Sequence, residues 1–545
     1  MILFPTLMLS LLITIGMIPV LKVLALRFNA VDLPNPRKVH NVPMPKVGGV
    51  AMALGATVPI LLWSPGSRFV DSLLLGSAVL VGFGFVDDIK EMGYRAKLAG
   101  QTIAALIVMG FGGLSITGLG DCLPGIFLSR WIALPLTLLV IVGVTNAINL
   151  SDGLDGLAGG ISMMIFICLG FLAYQNGMPD LALLAVAVVG AIFGFLRFNA
   201  HPAIVFMGDA GSQLLGFLAV SLAIHITQAS EPLSRSLPLL LLGFPILDTL
   251  TVMMERIAKG VSPFKADKNH FHHRLMRLGL RHAEAVMVIY CLQFSLVMSA
   301  FLLRFHSEWT LLSTYLAFSS SVLLGFYWAD RAKWVLPRHD LLDRMIKDKL
   351  VMIVERQLLI KFFYGTLEIG APLVLFLCCI APQDTPRYIG YLAVGLLFAL
   401  GTVWLIHRQW MIGMLRLILF VTAPYMVFAA HLHLPQRVGP HALTSFDLAF
   451  GVLAFLAVMT LKFTRRRQGF KANPSDLLII FAFVIVTSIP EIKNAVKDIA
   501  LITAKVIALF FAFEVLLGET RGNVVKLSIF IVISLGTVAV KCLIG

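Results

Sequence analysis

An all-α, polytopic membrane fold is what this sequence predicts, and three observations predict it. Hydrophobic residues make up 59% of the 545 positions, charged residues only 13%, and the mean hydropathy is +0.91. Soluble domains are nearer half apolar and a quarter charged, so a water-soluble fold is excluded. Roughly 18 apolar stretches recur, and at about 20 residues each they consume most of the chain, leaving no room for a large soluble domain.

The first eleven spans are expected near 2–26, 47–64, 69–86, 97–112, 131–147, 157–174, 180–197, 211–227, 236–255, 285–304 and 309–328. Met1 to Leu21 lacks a basic n-region and a small-residue cleavage site, so it reads as the first span rather than a signal peptide. Alternate loops differ sharply in Lys and Arg: one set carries 15, among them Arg37, Lys38, Lys46, Lys97 and Arg274, and the other only Arg68, Arg130, Arg235 and Arg304. The positive-inside rule places the first set in the cytoplasm and the N-terminus outside. The net charge of +14 therefore reads as topology and contact with anionic lipid or phosphate, rather than as a nucleic-acid surface. Six scattered cysteines form no metal spacing and no disulfide framework.

After the eleventh span, residues 329–362 form a basic amphipathic stretch with Trp334 and eight Lys or Arg, expected along the cytoplasmic membrane surface. It marks the expected boundary between a first membrane domain, 1–328, and a second, 363–545, of about seven further spans. No internal repeat joins the two.

With so few carboxylates, their positions are informative, because an acid at membrane depth or at a span end is costly. In the first domain they gather in four places: Asp87 and Asp88 in GFGFVDDIKEMG, Asp152 and Asp155 in NAINLSDGLDGLAGG, Asp209 in FNAHPAIVFMGDAGS, and Asp267 with His270, His272 and His273 in SPFKADKNHFHHRL. By the topology above, all four segments face the cytoplasm. Bland readings exist for each: an interfacial charge pair for Asp87 and Asp88, a shared helix face or a cap of span six for Asp152 and Asp155, an N-cap of span eight for Asp209, and an interfacial histidine patch. Their shared side favours one site. Converging carboxylates are tolerated chiefly around a cation, and hard oxygen ligands favour Mg²⁺ shared with substrate phosphates. Neighbouring glycines and helix N-termini suit anion binding. The residues alone thus point to Mg²⁺-dependent phosphoryl transfer at the cytoplasmic membrane surface.

The strings VDLPNPRKVHNVPMPKVGG (31–49), VDDIKEMGYRAKLAGQ (86–101), NAINLSDGLDGLAGG (146–160), FNAHPAIVFMGDAGS (198–212) and SPFKADKNHFHHRL (262–275) resemble, in order, the motifs of the polyprenyl-phosphate N-acetylhexosamine-1-phosphate transferases, glycosyltransferase family 4. The resemblance covers roughly residues 1–328, and its architecture of eleven spans with an external N-terminus is also the one expected here. The D-x-P-x-x-R-K-x-H and H-x-H-H patterns are similar to the WecA/TagO-like branch. The resemblance implies transfer of GlcNAc 1-phosphate from a UDP-sugar to undecaprenyl phosphate, with release of UMP, in the bacterial inner (cytoplasmic) membrane, to begin an envelope polysaccharide. It implies Mg²⁺, with Mn²⁺ as a substitute, held by Asp209 and Asp152, with Asp87, Asp88 and Asp209 catalytic. Asn149, Asp152, Asp155, Asn199, Phe206, His270, His272, His273, Arg37, Lys38 and His40 would bind substrate. A homodimer is open as its assembly. The alternatives are a phospho-N-acetylmuramoyl-pentapeptide transferase and, from another class, a transporter, for which intramembrane charges such as Glu368, Lys505 and Glu514 would suit the second domain. Residues 363–545 match none of these motifs, and an accessory membrane bundle is the expectation for them.

Overall fold

The computed structural model describes residues 3–27, 30–32, 43–64, 66–90, 92–262, 269–332, 334, 358–382, 385–406, 410–438, 440–463, 499–519 and 525–543. It divides into two compact units, the described residues up to 334 belonging to one and those from 358 to the other. Both are helical, and the protein is an all-α polytopic membrane protein. Among the described residues, twelve helices are long and apolar enough to cross a membrane, eight in the first unit and four in the second. Of the basic stretch 329–362, residues 333 and 335–357 lie outside the described residues, as do the basic residues Arg465, Arg466, Arg467 and Lys471 of the second domain.

The first unit contains α1 (Leu3–Arg27), α2 (Gly48–Trp63), α3 (Arg68–Lys90), α4 (Tyr94–Gly110), α5 (Arg130–Leu150), α6 (Leu157–Gln175), α7 (Pro179–Asn199) and α8 (Gly208–Ala229). There follow α9 (Leu237–Leu241), α10 (Gly243–Ala258), α11 (Phe271–Arg277), α12 (His282–Leu303) and α13 (Glu308–Arg331). Helix α8 is the centre of the bundle: 94% of its most apolar window is buried, against 22% for α13. Its first residues, Gly208 and Asp209, therefore sit where the packed core meets the bundle end. Small residues set that position. A Cβ on Gly49 would overlap Gly211, and one on Gly84 would overlap Ala210, so α2 and α3 approach α8 backbone to backbone. This close approach draws the end of α3, with Asp87 and Asp88, against the start of α8.

Two features depart from the sequence reading. The stretch expected as one span at 236–255 is broken at Leu242 into α9 and α10. Pro245 has no N–H for the Leu241 carbonyl, and the Gln293 side chain donates to that oxygen instead, at 2.8 Å. The Tyr315 hydroxyl likewise donates to Gly243 O at 3.1 Å. The second departure is a small antiparallel ribbon, β1 (Val31–Asp32) with β2 (Met44–Pro45), pairing Val31 with Pro45 and Asp32 with Met44. The described residues between α1 and α2 pair with one another, with the end of α1 and with Phe206. The Phe206 N–H donates to Pro45 O at 2.9 Å, and the Gly48 N–H to Phe206 O at 3.0 Å.

The second unit contains α14 (Leu358–Ile380), α15 (Arg387–Ile406), α16 (Met411–Val438), α17 (Pro440–Phe463), α18 (Ile499–Glu519) and α19 (Val525–Leu543).

Candidate functional site

Asp87 and Asp88 close α3, buried to 6% and 4% exposure. Asp88 takes the place of a local cap on α8, whose own N-cap position, Met207, makes no side-chain bond. Its carboxylate accepts the N–H of Asp209 at 3.1 Å and of Ala210 at 3.4 Å. A carboxylate on the positive end of a helix satisfies donors that have no intrahelical partner. Gly208 makes the contact feasible: its φ is +72°, and any Cβ there would overlap the Asp88 carboxylate. Asp209 lies inside the first turn of α8, so the N-cap reading of this residue is set aside.

Asp209 faces inward. Its Oδ1 accepts from Asn149 Nδ2 at 3.1 Å, and the same amide also donates to Ser212 Oγ at 2.7 Å. Lys97, on α4, bridges Asp209 and Asp87, the latter at 2.9 Å. Lys46 stands 3.4 Å from Asp32 and 3.9 Å from Asp88. Both lysines lie inside the quoted strings and by sequence look only like topology charges; in the fold they are ammonium groups among the carboxylates. Oδ1 of Asp87 is buried and receives no hydrogen bond.

Asp152 and Asp155 occupy a run of turns between α5 and α6, so they share no helix face and neither caps α6. That helix starts at Gly156, whose φ of +80° reverses the chain. Burial, together with the charges of Asp209, Asp88 and Asp155, pushes the Asp152 carboxyl up to about 7. Burial acts the same way on Asp155, but the hydrogen bond from His201, the Ala203 N–H at 3.1 Å and the nearby His282 hold it below the usual carboxylate range.

Asp155, His201 and His282 bring three ligand-type atoms within reach of one ion. Their hydrogen bonds also tie the turn together. The Asp155 N–H donates to His282 Nε2 at 3.0 Å, so a neutral His282 carries its proton on Nδ1, which faces His201 Nδ1 at 3.2 Å. His201 Nδ1 in turn lies 2.7 Å from Asp155 Oδ2. Because His201 Nδ1 gives its one proton to Asp155, it has no lone pair for His282, and the bonds of Asp155 to His201 and His282 are what brace the turn. Asn199 braces it from the other side: its Oδ1 accepts the Gly156 N–H at 2.8 Å and its Nδ2 donates to Val205 O at 2.9 Å. Both ends of the Asn199 amide are thus engaged with backbone. Phe206 lies half-buried beside Lys46, in the strand-like contact already described. Tyr290 adds a bond from its hydroxyl to Gly156 O at 2.6 Å.

The histidines reach the same place from α11. His272 is buried against Gly153, where a Cβ would overlap its ring. Burial, then the neighbouring His273, His270 and His282, pushes His272 down to about 3. His270 and His272 lie parallel, 5.9 Å apart, and His273 is tilted against His272 at 4.2 Å. Asp248 on α10, unremarked in the sequence reading, holds His270 by Nδ1 at 2.9 Å. A lone acid within an apolar stretch was the signal that would have found it. Arg37, Lys38, His40 and Asp267 lie outside the described residues.

Four sequence-distant segments therefore meet in one place: the end of α3, the turn before α6, the start of α8 and, through Gly153, the histidines of α11. The profile of glycosyl transferase family 4 matches residues 70–227, a range that holds the first three. The chain is 35% identical over 308 residues to a Bacillus subtilis protein named "Probable undecaprenyl-phosphate N-acetylglucosaminyl 1-phosphate transferase", which covers 55% of this chain and 84% of that one. It is 31% identical over 301 residues to the undecaprenyl-phosphate alpha-N-acetylglucosaminyl 1-phosphate transferase of Yersinia pestis, covering 54% and 82%. A decaprenyl-phosphate N-acetylglucosaminephosphotransferase of Mycobacterium leprae is 36% identical over 307 residues, covering 49% and 75%.

Proposed function

Because the chain belongs to glycosyl transferase family 4, the polyprenyl-phosphate N-acetylhexosamine-1-phosphate transferases, we propose that residues 1–328 transfer GlcNAc 1-phosphate from UDP-GlcNAc to undecaprenyl phosphate at the cytoplasmic membrane surface. UMP leaves, and the lipid-linked diphosphate sugar begins an envelope polysaccharide. The observation that carries this reading is the convergence of Asp87, Asp88, Asp152 and Asp209 with, among the described residues, Lys46 and Lys97 between them. Such a surplus of carboxylate binds phosphates only through an added cation.

The residues fit Mg²⁺, or Mn²⁺ in its place: Asp87 Oδ1 lacks a donor, and Asp152 is crowded by carboxylates on several sides. Asp209 and Asp152 would hold the ion, with Asp87 and Asp88 beside it. When bound, it supplies charge neutralisation for the donor diphosphate. In the reaction an oxygen of the lipid phosphate attacks the sugar-bearing phosphorus. One P–O bond forms, and the bond to UMP breaks with its electron pair leaving on the UMP oxygen. A phosphate monoester, with a second pKa of about 6, is largely dianionic at neutral pH, so Asp87 has no proton to remove. Its work is placement of cation and acceptor. Lys97 and Lys46 keep the carboxylates in register, and the histidines with the 151–156 turn receive the donor.

Release of UMP by the detergent-purified full chain, given Mg²⁺, undecaprenyl phosphate and UDP-GlcNAc, tests this reading beside Asp209→Ala. Lipid-dependent UMP is expected from the wild type and none from the variant. No UMP with UDP-GlcNAc, UDP-GalNAc or the muramyl-pentapeptide donor, from folded protein, overturns it.

A further inference from the structure

Asp248 sits on α10 just past the break at Leu242 and is 3% exposed. An acid this deep in an apolar helix is tolerated only when its oxygens are occupied. Both are, and both serve one segment. Oδ1 accepts the Phe271 N–H at 2.8 Å, and Oδ2 stands 2.9 Å from His270 Nδ1. A carboxylate has no hydrogen to give, so the proton between them belongs to Nδ1. Nε2 is then the polar atom of His270 left to meet another group.

The segment so anchored is held against other movement. Phe271 packs between Phe244, at 5.8 Å, and Phe326, at 4.9 Å. Arg274 pairs with Glu255 and donates from Nε to Asn269 O at 2.9 Å. The His270 ring lies within 8° of parallel to His272, which occupies the notch at Gly153 beside Asp152. Asp248 is thus the link through which α10 sets both the orientation and the tautomer of the first histidine.

We propose that Asp248 is a positioning residue for the transfer reaction, fixing His270 as its Nδ1–H form so that the Nε2 lone pair accepts a hydroxyl or amide N–H of the donor's sugar; this rests on the transferase reading above. A carboxylate that orients a working imidazole through its second nitrogen is a general device, worth on the order of 10- to 100-fold where it has been removed.

Steady-state UMP release by the full chain tests it. Asp248→Asn keeps the size but offers an N–H where a lone pair is required, so either the Phe271 N–H or His270 Nδ1 loses its acceptor. We expect kcat/KM for UDP-GlcNAc to fall about 10- to 100-fold, while KM for undecaprenyl phosphate is unchanged. His270→Gln should cause a similar loss, and the double variant should be no worse than His270→Gln alone. Losses that multiply in the double variant, or that raise KM for the lipid equally, overturn the proposal. Should Asp248→Asn fail to fold, ¹⁵N NMR of histidine-labelled wild type decides, with His270 assigned by its disappearance in His270→Gln. A protonated Nδ1 supports the proposal, and a proton-free Nδ1 overturns it. That spectrum needs no turnover, so a wild type that releases no UMP refutes the transferase reading separately.

Discussion

In the first unit, Asp87, Asp88, Asp152 and Asp209 converge with Lys46 and Lys97 as their ammonium partners. Among the described residues of the second, charges meet one to one: Lys505 with Asp447, Arg416 with Glu514 at 2.8 Å and Lys526 with Glu368 at 3.6 Å. Location differs as well. The first set sits at helix ends and on a turn, where backbone N–H groups are free to be capped and glycines let chains approach. Apart from the exposed Lys526 at the start of α19, the second set projects from helix interiors. Lys505, 2% exposed on α18, donates to His431 Nδ1 on α16 at 2.7 Å, and its ammonium lies 4.8 Å from the Phe446 ring. An interior helix position has no spare backbone donor to offer a charge, so a side-chain partner must neutralise it. The lesson is that an unbalanced cluster marks a place for a ligand, whereas a balanced one needs nothing beyond the neighbouring helices.

Breaking the unbalanced cluster should have the largest effect. Mg²⁺ is expected to raise the thermal midpoint of the wild type; Asp87→Asn is expected to remove that rise and to lower UMP release by on the order of 10³-fold. If raising the pH restores full rate with Mg²⁺ affinity unchanged, Asp87 is a base and its placement role fails. The balanced cluster should behave in the opposite way. Lys505→Met leaves Asp447 without its cation and should destabilise the chain by about 3 kcal/mol, read by thermal unfolding in detergent. Adding Asp447→Asn should recover most of that loss. A double variant as unstable as the single would show that the cluster is more than a pair, and the contrast with the first unit would weaken.

A subtler test concerns shape alone. Gly153→Ala adds one methyl group where the His272 ring lies, with no change of charge. The ring must move, and kcat/KM for the sugar nucleotide should drop by about tenfold or more, the lipid KM staying put. The smallest expected effect is on acid stability. Because burial pushes His272 down to about 3 from its ordinary 6.5, the unfolded chain binds a proton there that the fold does not. Its stabilising contribution is complete above 6.5 and is lost as pH falls from 6.5 towards about 3. His272→Asn should therefore flatten the decline of thermal midpoint on the acid side, and an unchanged slope would count against a neutral, buried His272.

Much of this molecule was legible as sequence for physical reasons that can be named. Long apolar runs must be helices where no water satisfies the backbone, so the α-helical membrane class followed from composition and length. Acids are rare enough in such a chain that Asp87, Asp88, Asp152, Asp155 and Asp209 marked themselves. Other elements were hidden. At the break, the Leu241 carbonyl that Pro245 leaves free is taken by Gln293 and the Gly243 carbonyl is joined by Tyr315, residues distant in sequence that arrive only in the packed bundle. Lys97 and Lys46 looked like topology charges until folding set them between carboxylates.

What the sequence determined by itself was the inventory: a helical membrane protein, a set of acids and histidines beside glycines, and the family to which those strings belong. Tertiary structure alone decided the assignments within that inventory. It made Asp88 the cap of α8, gave Asp155 to His201 and His282, engaged both ends of Asn199 with backbone and tied His270 to Asp248. The reason is that a hydrogen bond or a charge contact acts over a few ångströms of space. No spacing along the chain encodes which distant helix will arrive there.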